Sequence, residues 1–462
     1  MRSLWLQEAL SPGEDSPRLQ GEIRTDLCIV GGGYTGLWTA IRLKEHDPSL
    51  DVAVVEADVC GGGASGRNGG FVLSLWAKFQ TLVKLVGTDQ ALHLARASAD
   101  AVSGIGKFCA DHGIDARFRG DGWLWAATNE AQVGAWRETL EDVERAGERP
   151  FVELSPEEVA ARTGSSRHVA GVFEATAATV QPARLARGLR QVALEQGVRI
   201  FERSPMAKLE VRPLRVRTPH GVVRARGVVL AMNAWAVRFA EIRRRILVIG
   251  SDMVATEPIP QRLAEIGWTD GMSISDSRLL VHYYRTTDDG RVAFGKGGGK
   301  LPFGALIGRR FDGASPRAAE VAAFFRALYP SLAEVRVVAN WTGPIDRSRT
   351  GLPFFARLGG RPDVVYGIGY SGNGVGPSFL GGKILASLAL GLDDEWSRCG
   401  LVGRASRGFP PEPIRYAGGS LVRGAIARKE RAEDQGRRPS PVDVRLIKLA
   451  PPGLTPMSED GS

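Results

Sequence analysis

Gly31, Gly33 and Gly36 fit the spacing G-x-G-x-x-G, and their surroundings give that spacing a chemical meaning. Gly31 permits a tight turn, Gly33 lets the backbone approach a pyrophosphate, and Gly36 allows a helix to pack closely on the preceding strand. N–H groups freed at such a turn, together with the helix dipole, favour a phosphate anion. The motif alone is weak, so its frame decides. Residues 27–30 form a short apolar run suited to a buried parallel strand, and Leu37, Ala40, Ile41 and Leu43 follow with helical spacing. A second strand, Val52–Val55, ends at Glu56, where this arrangement sets an acid on the ribose hydroxyls of a dinucleotide. Residues 24–56 therefore predict a βαβ unit that binds a dinucleotide.

Two further glycine-rich stretches could do chemistry. Six glycines fall between Gly61 and Gly70, which requires close approach of the backbone to a neighbour, positive φ, or both. Arg67 and Asn68 within it are suited to hydrogen-bond a planar heteroaromatic ring. Residues 369–376 (GYSGNGVG) follow an apolar run at 364–368 and lead into a helix, expected to begin at Pro377 and stop at Gly391. A glycine loop feeding a helix N-terminus presents N–H groups to an anion.

The chain that must position these stretches has 462 residues, 43% of them apolar and 24% charged, an ordinary globular composition long enough for two or three domains. No run reaches the ~18 apolar residues of a membrane span. The start lacks a secretory pattern, since Glu8, Glu14 and Asp15 fall where an apolar core would be needed. Four cysteines, Cys28, Cys60, Cys109 and Cys399, show neither C-x-x-C pairing nor metal-ligand spacing. These features point to no metal and a reduced, cytoplasmic compartment. Of the net charge of +9, the segment 404–448 supplies +6, from eleven Lys/Arg against five Asp/Glu. The excess belongs to a tail rather than to a basic stripe with aromatics, which argues against a nucleic-acid partner.

GGGYTG, then Glu56, then GGGASGRNGG resembles the FAD-dependent amine and amino-acid oxidoreductases, the glycine oxidase, sarcosine oxidase and D-amino-acid oxidase type. The ASGRNGG form is most similar to the γ-glutamylputrescine oxidase and aminophosphonate oxidoreductase branch. The resemblance runs from about residue 26 to residue 392. It implies an α/β fold, with a Rossmann-like FAD-binding domain interleaved with an α+β substrate domain on a mixed or antiparallel sheet. The FAD domain is expected from residues 24–85, 160–235 and 340–400, and the substrate domain from 86–159 and 236–339. Residues 1–23 form an N-terminal extension with Trp5 and Leu6 as docking points and a turn at 11–13, and 401–462 form a basic helical tail.

The same resemblance implies which residues hold FAD. They are Gly31, Gly33, Tyr34, Thr35 and Gly36 of the first loop, Glu56 and Ala57 after the second strand, and Gly63, Ala64, Ser65, Arg67, Asn68, Gly69 and Gly70 of the second loop. Met206 is expected at the adenine, and Gly343, Gly372, Asn373, Gly374 and Val375 near the flavin ring. Asn233 stands where relatives more often carry glycine. Covalently flavinylated relatives carry a cysteine near residues 345–349, and this chain has none there, so FAD is expected to be non-covalent. The implied reaction is oxidation of a C–N bond, with a small-molecule amine as substrate and oxygen or another acceptor taking the electrons. A monomer or homodimer is expected. The rivals are an NAD-binding protein, a dehydrogenase with an acceptor other than oxygen, and a non-catalytic flavoprotein.

Candidate catalytic residues cluster in VHYYR, where period two sets His282 and Tyr284 on one face and Tyr283 and Arg285 on the other. Either tyrosine could line the substrate pocket. Arg285, Arg349 or Arg67 could pair with an anionic substrate. Sarcosine oxidase-like relatives place an oxygen-activating lysine on the next strand; the matching residue here is Ala293, with Lys296 merely nearby. Residues 118–128 read as a hairpin turning at Asp121-Gly122, with Trp123 and Trp125 sharing one face, as packed core in preference to a substrate cage. Ser155 and Glu158 predict a capping box. In the tail, Ser420 is expected to cap a helix ending near Gly436, with loosely held residues after Pro439.

Overall fold

A computed structural model describes residues 2–450, apart from Pro12, Glu14, Asp15, Arg309, Arg310, Asp312 and 404–407. Two eight-stranded sheets organise it. In the first, Val364–Ile368, Gly221–Leu230, Gly21–Val30, Val52–Val55 and Arg199–Phe201 lie parallel in that order, with Phe354–Arg357 antiparallel at one edge. Residues 27–30 and 52–55 are buried on both faces, as expected for a parallel sheet covered by helices. This is the Rossmann-like part. The βαβ unit closes around the helix Tyr34–His46.

Three helices seal one face of that sheet. Trp38 of Tyr34–His46 meets Phe108 of Thr88–Asp111 and Phe379 of Val375–Leu390, each edge to face at 4.8 Å. Burying such an indole removes on the order of 200 Å² of surface from water, worth about 5 kcal/mol. Gly382 makes the approach possible, because a Cβ there would lie 2.5 Å from Trp38 Cβ.

The second sheet is mixed, in the order Val337–Ser348, Ile246–Thr256, Val292–Lys296, His282–Thr286, Ser273–Asp276, Trp123–Ala127, Ala170–Glu174 and Phe151–Leu154. Every pairing is antiparallel except that of Trp123–Ala127 with Ser273–Asp276. Residues 118–128 are thus no hairpin; their strand pairs with segments distant in sequence. The helix Ala318–Leu328 covers one face through Val321 and Phe325.

The expected segment boundaries shift for reasons of pairing. Ala170–Glu174 and residues 340–348, assigned from sequence to the nucleotide part, are held in the second sheet by antiparallel ladders. The helix Thr88–Asp111, assigned to the substrate part, packs its apolar stripe against the nucleotide helices. The Ser155/Glu158 capping box is present on Pro156–Thr163. The N-terminal helix Leu4–Ala9 buries Trp5 and Leu6, and Trp5 Nε1 donates to Asn68 O at 2.9 Å. The expected turn at 11–13 includes Pro12, outside the described residues.

The tail differs most. Its main helix spans Ile414–Asp434, so Ser420 lies inside it rather than capping it. A second helix, Pro441–Ile447, follows, capped by Ser440 and tied back by Arg428 to Asp443 at 2.6 Å. Residues 441–447 are therefore packed, not loose; Ile447 joins Leu280, Val422, Ala425 and Ile426 in one apolar cluster.

Candidate active site

One large cavity, about 1450 Å³, runs between the two sheets. A pocket for one drug-sized ligand typically measures roughly 300–1,000 Å³, so this cavity exceeds the space one such ligand needs. Its first end is built by the glycine loops. Gly31 has φ +112°, and a Cβ on it would lie 2.4 Å from Ala231 O. A Cβ on Gly33 would meet Ser65 Oγ at 2.9 Å, and that hydroxyl accepts from Tyr34 N. Gly36 stays outside the cavity, and its absent side chain lets the helix approach Gly31 O, which a Cβ would meet at 2.0 Å.

Glu56 binds the loop itself: Gly32 N donates to Oε2 at 2.7 Å and Asp58 N to Oε1 at 2.9 Å. Burial raises its carboxyl above the ordinary range, against the lowering effect of those N–H groups. Gly31, Gly33, Tyr34, Thr35, Glu56 and Ala57 all line this end. Met206 and Asn233 line it too. Asn233 has φ 48°, in the left-handed region where glycine is at ease and asparagine is tolerated.

The second loop and the late glycine loop meet farther along. Gly63, Ala64, Ser65, Arg67, Asn68 and Gly69 line the cavity. Asn68 shapes the loop by donating to Ala64 O and Ser65 O and accepting from Gly70 N at 2.7 Å. Arg67 donates to Gly62 O at 3.0 Å. Gly70 does not reach the cavity; its φ of +78° brings the chain against Val180 O, so its role is packing. Gly343, Gly372, Asn373, Gly374 and Val375 line the wall, and the helix begins at Val375, two residues before the expected Pro377. Asn373 Nδ2 donates to Ser74 O at 3.3 Å, joining the late loop to residues 73–78. Asp346, in this wall, is pushed up to about 7 by burial, although Gly369 N donates to it at 2.6 Å.

Three of the four residues expected to act on substrate lie elsewhere. Tyr284 is fully buried against Phe294, Trp268 and Tyr329, and bonds His168 Nε2 at 2.5 Å. His282 sits behind the cavity, bonded to Asp276 at 2.8 Å and to Lys296 Nζ at 2.9 Å. Burial lowers its basicity, opposed by Asp276. Arg285 is structural: it donates to Gly69 O at 2.8 Å and Val180 O at 2.6 Å, pinning the second loop. Of that set only Arg349 lines the cavity. Tyr283 takes the place expected of Tyr284, its hydroxyl 2.8 Å from Ser251 Oγ. Strand periodicity paired these residues correctly but could not choose the face. Neither Ala293 nor Lys296 lines the cavity; both are buried in their strand.

Other lining residues had only faint signals. Trp123 and Trp125, stacked at 5.7 Å, face the cavity rather than a sealed core. Lys78 lines it as well, from a turn that carries no motif. The tail helix contributes Ile414, Gly418, Leu421 and Val422, one helical face, so it forms a wall of the site.

The fold, the three glycine loops and a cavity shared between a parallel and a mixed sheet define a dinucleotide-dependent oxidoreductase. The chain belongs to the FAD dependent oxidoreductase family, whose model matches residues 26–388. It is 30% identical over 377 residues to the gamma-glutamylputrescine oxidoreductase of Escherichia coli, covering 81% of this chain and 85% of that protein. It is 29% identical over 389 residues to a probable oxidoreductase, OrdL, of Haemophilus influenzae, covering 80% and 84%. Among solved structures, glycine oxidase from Geobacillus kaustophilus superposes with a TM-score of 0.67 at 20% identity, covering 84% of this chain and all of that one. The cofactor is FAD. The residues present fit FAD: the cradle at Gly31 and Gly33 leaves no room for a Cβ, and Glu56 stands at the expected acid position. Among the described residues no helix is long and apolar enough to cross a membrane.

Proposed function

We propose that the chain oxidises the C–N bond of a small amine, amino acid or aminophosphonate, giving an imine that water then hydrolyses. The observation that carries this reading is the continuity of the cavity from the glycine loops to an aromatic wall of Trp123, Trp125 and Tyr283. FAD, when bound, supplies the acceptor for hydride leaving the carbon next to nitrogen. Gly31, Gly33 and Glu56 are proposed to hold its nucleotide end, with Arg67, Asn68 and residues 372–375 at its ring and no covalent link. The protein orients the amine against that ring and excludes bulk water. The amine reacts unprotonated, because its nitrogen lone pair forms the new C=N bond.

An anionic end on the substrate suits Arg349 at the wall; Arg285 is excluded by its burial among backbone carbonyls. A dehydrogenase using an acceptor other than oxygen is the second reading, favoured because the strand Val292–Lys296 sends no lysine to the cavity. An anaerobic titration of the FAD-loaded protein with a panel of amines tests both. Bleaching of the flavin band by one compound class is expected, and slow recolouring in air would favour the second reading. A flavin that no amine bleaches would overturn the proposal.

A further inference from the structure

Lys78 ends the short turn Trp76–Lys78 and opens the helix Phe79–Val86. Its backbone is fixed from both sides. Lys78 N donates to Leu75 O at 2.8 Å, and Leu75 N donates to Ser98 Oγ at 2.7 Å. Trp76 and Phe79 flank it, both buried, with rings 5.8 Å apart. The side chain therefore enters the cavity wall from a fixed backbone. There it makes no ion pair and no side-chain hydrogen bond with the described residues. Among the described residues, the one charged neighbour acting on it is another cation, Arg347 of the strand Val337–Ser348. Burial first, and Arg347 second, lower Lys78 from the ordinary lysine range to about 8.

A half-buried lysine beside a second cation, with no carboxylate among the described residues acting on it, is an arrangement that folding alone disfavours. A rigid anchorage that keeps it so calls for an anion from outside. We infer that Lys78 is the specificity residue for the anionic end of the substrate, a carboxylate or phosphonate carried by the amine. The inference deepens the proposed function and rests on that reading of the cavity. Arg349, half-buried in the same wall, is then secondary.

The test needs no turnover. Acetate and inorganic phosphate, as non-reacting probes, are titrated into FAD-loaded protein while the flavin spectrum is followed. Wild type is expected to show a saturable perturbation, and Lys78→Met to bind both probes about tenfold or more weakly. Anion binding requires the charged lysine, so wild-type affinity should hold below about pH 8 and fall as pH rises through that value. Lys78→Arg should restore binding and remove the fall. Full affinity in Lys78→Met, an unchanged pH dependence in Lys78→Arg, or no perturbation of wild type would each overturn the inference. So would an effect of Lys78→Met on flavin reoxidation alone, which would assign the lysine to the acceptor. Because binding is read directly, it can stand or fail separately from amine bleaching.

Discussion

The two ends of the cavity are built from different materials. At the nucleotide end, glycine loops bring main chain to the wall, and the few side chains there, such as Ser65, Asn68 and Glu56, hydrogen-bond mainly to backbone. At the substrate end, side chains from five strands of the second sheet and a tail helix form much of the wall, and each strand residue depends on which face its strand turns inward. A site made of backbone is tolerant of every neighbour except a Cβ. A site made of side chains is fixed only once the whole sheet has assembled.

The sharpest way to break that contrast is to add atoms at Gly31. Its φ of +112° and the 2.4 Å approach to Ala231 O leave valine both strained and clashing. Gly31→Val is expected to purify without flavin or to misfold outright, read from the ratio of flavin to protein absorbance. Trp125→Phe, at the other end, should keep its full flavin content. Equal flavin in the two variants would erase the distinction.

A smaller effect is expected at Arg285, which connects the two ends. Its guanidinium lies 5.4 Å over the Trp5 ring and donates to three carbonyls, those of Gly69, Val180 and Thr286, and burial lowers its pKa to about 10. Arg285→Met strands Gly69 O and Val180 O in the interior and should cost about 3 kcal/mol in urea unfolding. Selectivity for anionic over neutral amines should be unchanged. A loss of that selectivity without loss of stability would return Arg285 to the substrate wall.

What the sequence disclosed follows the same division. The first loop, Glu56 and the glycine run 61–70 were legible because glycine spacing encodes backbone geometry directly. Trp123 and Trp125 were not, because their strand pairs in parallel with residues 273–276, a contact about which local pattern is silent. The tail's register was misread for a related reason. Its helix starts at Ile414 because Arg415 and Glu412 pair at 2.8 Å and Arg415 reaches Arg243 O, so tertiary anchors outweighed the serine cap. Lys78 carried no motif at all; its placement depends on Ser98, twenty residues on, and on the late glycine loop.

The smallest expected effect concerns the face of the strand His282–Thr286. His168 Nδ1 meets the carbonyl of Ser165 at 3.1 Å and so carries the proton, leaving Nε2 to accept from the Tyr284 hydroxyl. Burial lowers His168 from 6.5 to about 4. A histidine depressed in the folded state contributes fully above its unfolded value, and that contribution is lost as pH falls from about 6.5 toward about 4. Tyr284→Phe removes the donor that favours the neutral ring, at a cost of about 1 kcal/mol near neutral pH. The gap between variant and wild type should close on acidification, once both carry a protonated His168, while the amine KM stays the same throughout. Tyr283→Phe should do the opposite, since its hydroxyl orders Ser251 at the cavity wall: a shifted KM with little change in the urea midpoint. If instead Tyr284→Phe moved KM and Tyr283→Phe did not, the strand would present its other face to substrate, and the sheet register that buries Tyr284 against Phe294 would be wrong.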